Sequence, residues 1–325
     1  MNDLLVGLLS ALVSTNTPLA VSNLVQQKTG LAIEVVDSND PVEMAYRKLM
    51  EEDDEALAEI NRWREEIATA GIKPSEVQLS LLNNRIRQRA APVRKSYETF
   101  IEKNSRHTNA RVAFAAFLDE VGDAPEAERQ LEKAVQLDPN SPPALNNLAN
   151  HFGHTGKLTN AFALYERAIR LAPGEPLYCE NLATSVFSFR LDAMTYYQMD
   201  EQQVFAKALA LYRRALELDP KNFDRAVELA KTYYGVRPPP SDDPEARRRA
   251  ALKLADDALA AWQTAYEVAT GDPEREGVRL HLARWQINAG RLEEARKNLA
   301  AVTNETFLAS KTTLLKKLDS KQVPR

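Results

Sequence analysis

The stretch "LNNLANHFGHTGKLTNAFALYERAIRLAPG", residues 145–174, decides how this chain folds. An α-helix turns about 100° per residue, so Leu145, Leu148, Ala149 and Phe152 fall on one apolar stripe. Gly156 interrupts the rhythm. Ala161, Leu164, Tyr165, Ala168 and Ile169 then restore it at intervals of three and four, until Pro173 closes the element. The spacing predicts a helix, a tight turn and a second helix. The alanines matter as much as the large residues, because two helices approach closely only where a small side chain meets a bulky one. One such hairpin has too little surface to bury itself, so the pattern is expected to repeat.

It does repeat. Pro139 precedes Pro173 by the length of one such hairpin. At that same interval, Phe114, Ala115, Leu118, Gly122, Ala127, Leu131 and Ala134 precede Leu148, Ala149, Phe152, Gly156, Ala161, Tyr165 and Ala168, each in turn. A third unit places Leu182, Ala183 and Val186 in its first helix and Ala208, Tyr212 and Ala215 in its second, with an insertion near 187–203. A fourth reads Leu229, Ala230 and Tyr233, then Ala258, Trp262 and Ala265, with an insertion near 236–250. The fifth carries Leu282, Ala283, Gly290, Ala295, Leu299 and Val302. Four stretches follow: an apolar helix and extended connector over 1–40, a helical region with a degenerate repeat over 41–107, about five hairpins over 108–304, and a capping helix with tail over 305–325. Pro41 and Pro74 each open a helix-like stretch. The acidic run Glu51 to Glu55 is assigned to the favourable end of the first helix dipole.

This order of small and large residues at a fixed period, from Pro139 to Pro173, resembles the tetratricopeptide repeat family. The resemblance implies an all-α fold, a right-handed superhelical solenoid of helix-turn-helix hairpins with an N-terminal helical extension and a C-terminal capping helix. It also implies a concave face lined mostly by the first helix of each pair, and a non-catalytic scaffold that binds a partner protein or peptide segment there.

Candidate groove residues come from the helix geometry. Asn146, Asn147, Asn150 and His154 lie between about 100° and 200° from the apolar stripe. Asparagine is unfavourable inside a helix, so these either hold both the N–H and the C=O of a peptide main chain or cap, solvate or bond a neighbouring repeat. Asn181 stands one full repeat after Asn147, and Thr184, Glu228 and Lys231 extend the same face. Some members of the resembled family grip peptide main chain with an asparagine ladder; here Ala113, Glu228 and His281 interrupt it. The clamp of basic and amide residues that other members use on chaperone tails is absent, since Val112 and Ala116 occupy its positions. The insertion brings Phe187, Phe189, Tyr196 and Tyr197 together, either as an exposed surface for a partner or as rings buried between two lengthened helices.

Bulk properties narrow the function. Hydrophobic residues make up 44% of 325 and the formal net charge is −4, which argues for a packed core and against a nucleic-acid-binding surface. The basic clusters Arg85, Arg87, Arg89, Arg94 and Lys95, and Arg247 to Arg249, read as solvated helix faces. Cys179 is the only cysteine and leaves the redox compartment open. No catalytic signature, cofactor motif or metal-ligand set is recognisable; His151 and His154 lack a third ligand, and His107 and His281 are isolated. No apolar run is long enough for an integral membrane span. Leu4 to Val13 has the length of a signal-peptide core but no basic residue precedes it, which favours a cytoplasmic chain with an amphipathic N-terminal helix. An exported or periplasmic location follows if residues 1–20 act as a signal peptide. The alternative function is an assembly or envelope-associated subunit that works through that helix, including self-association, and through the aromatic insertion.

Overall fold

A computed structural model describes Thr29, residues 40–69 and residues 74–322. Every long element among them is a helix: α1 Pro41–Thr69, α2 Glu76–Lys103, α3 Thr108–Glu120, α4 Ala124–Leu137, α5 Pro142–His154, α6 Leu158–Leu171, α7 Pro176–Ser188, α8 Arg190–Tyr197, α9 Glu201–Leu218, α10 Phe223–Thr232, α11 Pro244–Val268, α12 Asp272–Ala289, α13 Leu292–Ala300 and α14 Leu308–Gln322. The fold is all-α. The chain divides into two compact units, Met1–His151 and Phe152–Arg325, and the division falls inside α5. The apolar opening and the connector lie outside the described residues, apart from Thr29 and Asp40.

In the first unit, α1 pairs with α2, both pack on α3, and α3 packs on α4. Ser75 starts α2 with a reciprocal capping box to Gln78, which satisfies two backbone donors at that end. Tyr97 is fully buried, its ring stacked on Phe114 with centroids 4.8 Å apart. Its hydroxyl donates to Asp53. This corrects the reading of the acidic run. Asp53 and Asp54 are buried in the middle of the 29-residue α1, far beyond the first turn in which a helix dipole acts, and a buried phenol holds Asp53 instead.

The second unit runs from α6 to α14. Its helices form antiparallel pairs, α10 with α11 and α12 with α13, and α14 closes the end by packing on α12 and α13. Leu314 and Leu318 of α14 are buried with Ala283, Ile287, Ala295 and Leu299. The insertion near 187–203 is an added helix, α8, seated against α6, α7 and α9.

The register read from sequence decides the packing. Ala115, Ala127, Ala134, Ala149, Ala161, Ala168, Ala183, Ala208, Ala215, Ala230, Ala258, Ala265, Ala283 and Ala295 all have no exposed surface. Gly122 and Gly290 turn the chain between paired helices at φ of +87° and +79°, and Gly156 follows α5 at φ of +82°; a Cβ is strained at all three. Gly235 is needed for a different reason: a Cβ there would lie 2.6 Å from Phe205 Cε1 and 2.8 Å from Cζ.

Gly235→Ala is therefore expected to destabilise the protein by about 1–3 kcal/mol, because the Phe205 ring has to move. Gly156→Ala, with open space around it, is expected to lose only about 1–2 kcal/mol from backbone strain. Urea-unfolding midpoints check both.

Candidate partner-binding site

The groove candidates of the first unit turn out to be interior. Asn146 and Asn147 on α5 are buried, which corrects the expectation of an open amide face there. The reason lies in the bonds of Asn147: its Nδ2 donates to Pro143 O at 2.8 Å and to Thr29 O at 2.7 Å. Asn150 is half-buried on the same helix. One turn from Asn147, His151 is wedged between carboxylates, with Nδ1 3.0 Å from Asp119 Oδ1 and Nε2 3.4 Å from Glu128 Oε2. These contacts fix α5 to α3 and α4. Val112, at a clamp position of the resembled family, is fully buried.

The candidates of the second unit sit on first helices and are more accessible. His154, at the end of α5, is exposed. Asn181 is half-buried on α7, and Thr184, one turn on, shares a 2.8 Å hydrogen bond with the Tyr212 hydroxyl. On α10, Lys231 Nζ donates to Glu228 Oε1 at 2.7 Å, a half-exposed pair that screens its own charge. Deeper on the same unit, Arg225 Nε lies 2.9 Å from Glu180 Oε2. Burial raises the Glu180 carboxyl and Arg225 only partly opposes it.

The densest arrangement is one the sequence reading did not assemble. Tyr234, two residues past α10, is 41% exposed, yet its ring stacks on Trp285 of α12 with centroids 5.4 Å apart. Its hydroxyl shares a 2.8 Å hydrogen bond with His281 Nδ1. The His281 ring lies flat on Trp262 of α11, 4.0 Å away at 1°. Arg284, exposed on α12, lies over the Tyr234 ring at 5.7 Å. His281 occupies the register position of Asn147, and Arg284 that of Asn150. A signal was therefore present: His281 and Trp285 are spaced i, i+4 on a face already assigned to the groove. Burial, with the Arg284 and Lys231 charges adding to it, lowers the His281 pKa from 6.5 to about 3.

The insertion aromatics spend much of their surface inside the fold. Phe187 packs on Phe205 at 5.6 Å. Tyr196 and Tyr197 pack edge to face with each other and lie 5.3 and 5.6 Å from the buried Phe162. Lys207 Nζ sits over the Tyr197 ring at 4.0 Å. Phe189 alone of the four reaches 36% exposure, so a single open aromatic surface is not formed; α8 seats its tyrosines against α6.

The basic clusters are drawn into local pairs. Arg89 bonds Glu59 at 2.8 Å, Arg94 pairs with Asp123, Arg85 lies over Trp63 at 3.8 Å, and Arg249 faces Asp243 and Glu245. Among the described residues no group of three or more His, Cys, Asp or Glu side chains could hold a metal ion, and no helix is long and apolar enough to cross a membrane.

Paired helices joined by left-handed glycine turns, with alanines at each crossing, define an all-α repeat protein of the helical-hairpin class. Residues 113–176 match the tetratricopeptide repeat family model. No curated protein matches it in sequence. Among solved structures, PilF of Pseudomonas aeruginosa is 14% identical with a TM-score of 0.50, covering 83% of this chain and 99% of that one. YrrB, a tetratricopeptide repeat protein with an unusual peptide-binding site, is 17% identical with a TM-score of 0.48, covering 70% and 98%. MamA of Desulfovibrio magneticus RS-1 is 15% identical with a TM-score of 0.42, covering 67% and 97%. At these identities the likeness concerns the fold.

The His281 environment has a measurable signature. Between pH 6.5 and about 3 the unfolded chain binds a proton at this residue that the folded chain refuses, so stability falls as pH drops through that window. His281→Gln is expected to lose less stability than the parent between pH 7 and 4.5, read from urea midpoints. Parallel pH profiles would show that the ring is not held neutral.

Proposed function

We propose that this protein is a non-catalytic scaffold that holds a segment of a partner protein on the first-helix face of its second unit. The observation that carries this reading is the open but fixed Tyr234 ring, stacked on Trp285, bonded to His281 and flanked by Arg284. Tyrosine, tryptophan and arginine are the residues that dominate binding energy at protein interfaces. An exposed ring already immobilised by its neighbours loses little further entropy when a partner covers it. The Glu228–Lys231 pair lies one turn before Tyr234 and supplies a polar rim. Asn181 and Thr184 extend the face along α7, with Thr184 serving mainly to position Tyr212.

The tetratricopeptide fold supports the scaffold reading in general; the Tyr234 cluster supports the particular place. The aromatic insertion is a weaker candidate, because Phe187, Tyr196 and Tyr197 are engaged within the unit.

The test is affinity capture from lysate of the source organism with the full chain and two variants. The Tyr234→Ala, Arg284→Ala double variant is expected to weaken capture of a specific partner by about 30-fold or more, the loss of a hot spot of about 2 kcal/mol. Asn181→Ala is expected to weaken it less than tenfold. Retention of every partner by the double variant, at unchanged helicity and melting temperature, removes this face from the account.

A further inference from the structure

The face that carries the Tyr234 cluster continues along α12 to the closing helix, and its charge there specifies the chemistry of a partner. His281, Arg284 and Asn288 follow one another at intervals of three and four, so they share one stripe of α12. Asn288 is exposed and stands at the register position of His154. At this end α14 brings in two cations. Lys317 Nζ donates to Asn288 Oδ1 at 2.8 Å, and Lys321 Nζ donates to Ile287 O at 2.9 Å. A neutral acceptor directs an ammonium without cancelling its charge, and each ammonium has three donors. Among the described residues no carboxylate pairs with Arg284, Lys317 or Lys321, whereas Lys231 is held by Glu228, and Asp319 of α14 is taken by Arg296. The three exposed cations form an uncompensated strip on a chain whose formal net charge is −4.

We infer that α14 is part of the docking face as well as its cap, and that the partner segment is acidic: an apolar side chain covers Tyr234, and carboxylates beside it meet Arg284, Lys317 and Lys321. The inference rests on the docking reading proposed for Tyr234 and adds the partner's chemistry to it. From His281 to Asn288 the helix rises about 10 Å, at about 1.5 Å per residue. An extended segment covers that length in about three residues, so the carboxylates stand close behind the apolar anchor in the partner's sequence. The guanidinium of Arg284 can take a carboxylate bidentately, and the two lysines act as point charges. Charge complementarity of this kind selects among partners that would cover the Tyr234 ring equally well. It also gives the exposed lysines of a closing helix a use beyond solubility.

The experiment measures fluorescence anisotropy of two fluorescein-labelled synthetic peptides with the full chain at low salt. Both peptides carry one phenylalanine; four glutamates follow it in one and four glutamines in the other. The parent is expected to bind the glutamate peptide at least about tenfold more tightly. The Lys317→Gln, Lys321→Gln double variant, at unchanged helicity and melting temperature, is expected to remove most of that preference and to leave the glutamine peptide unaffected. Lys317→Arg with Lys321→Arg is expected to retain it. Tyr234→Ala is expected to weaken both peptides. Equal affinity of the parent for the two peptides, both weakened by Tyr234→Ala, overturns the acidic partner and leaves the docking face standing. Binding of neither peptide, or binding that Tyr234→Ala does not weaken, overturns the docking face with it. A labelled oligothymidylate that binds the parent more tightly than the glutamate peptide makes the strip a phosphate site and overturns the inference.

Discussion

The structure depends on one steric constraint: paired helices can meet only where one of them presents an alanine. Fourteen alanines in the repeat register have no exposed surface, and each lets a bulky neighbour such as Tyr165, Tyr212 or Trp262 fill the space that a larger side chain would deny it. Close packing leaves no room for one more methylene at such a crossing. Because the contact recurs at a fixed place in each hairpin, the helical angle of every other residue follows from it. The second unit shows the consequence. With Ala183, Ala230 and Ala283 turned inward, Asn181, Glu228 and His281 must lie on another face.

That constraint explains what could be read in advance. The fold class, the glycine turns and the closing helix are all local in sequence, since they rest on intervals of three and four within a helix and on one fixed period between hairpins. The fourth hairpin is legible across its insertion because Ala258, Trp262 and Ala265 keep their own spacing. What could not be read depends on contacts between distant segments. Asp53 reads as a dipole residue in sequence, and only the fold brings Tyr97, 44 positions later, to donate to it. Asn147 reads as a groove amide, but no periodicity shows that Thr29 will be brought to it. The tyrosines of α8 face Phe162 for the same reason.

The two units therefore use equivalent helix positions differently. In the first, the register position held by Asn147 is filled by the chain itself, and His151 one turn on is consumed by Asp119 and Glu128. In the second, the corresponding positions carry His281 and Arg284, and they meet an aromatic ring that remains open. Burial, with the Arg284 and Lys231 charges adding to it, keeps His281 neutral far below its ordinary range, so the cluster stays unchanged across physiological pH. A rigid aromatic and arginine surface of constant charge suits a docking face that does not need to reorganise when a partner arrives.

The most direct test of that claim is site-specific photocrosslinking in the source organism, with a benzophenone amino acid at position 234 or, as a control on the outward side of α11, at position 252. Leu252 is 37% exposed, close to the exposure of Tyr234, so accessibility alone cannot separate the two sites. The account predicts a discrete crosslinked partner from position 234 and none from position 252. The same adduct from both positions, or an adduct from position 252 alone, would contradict it.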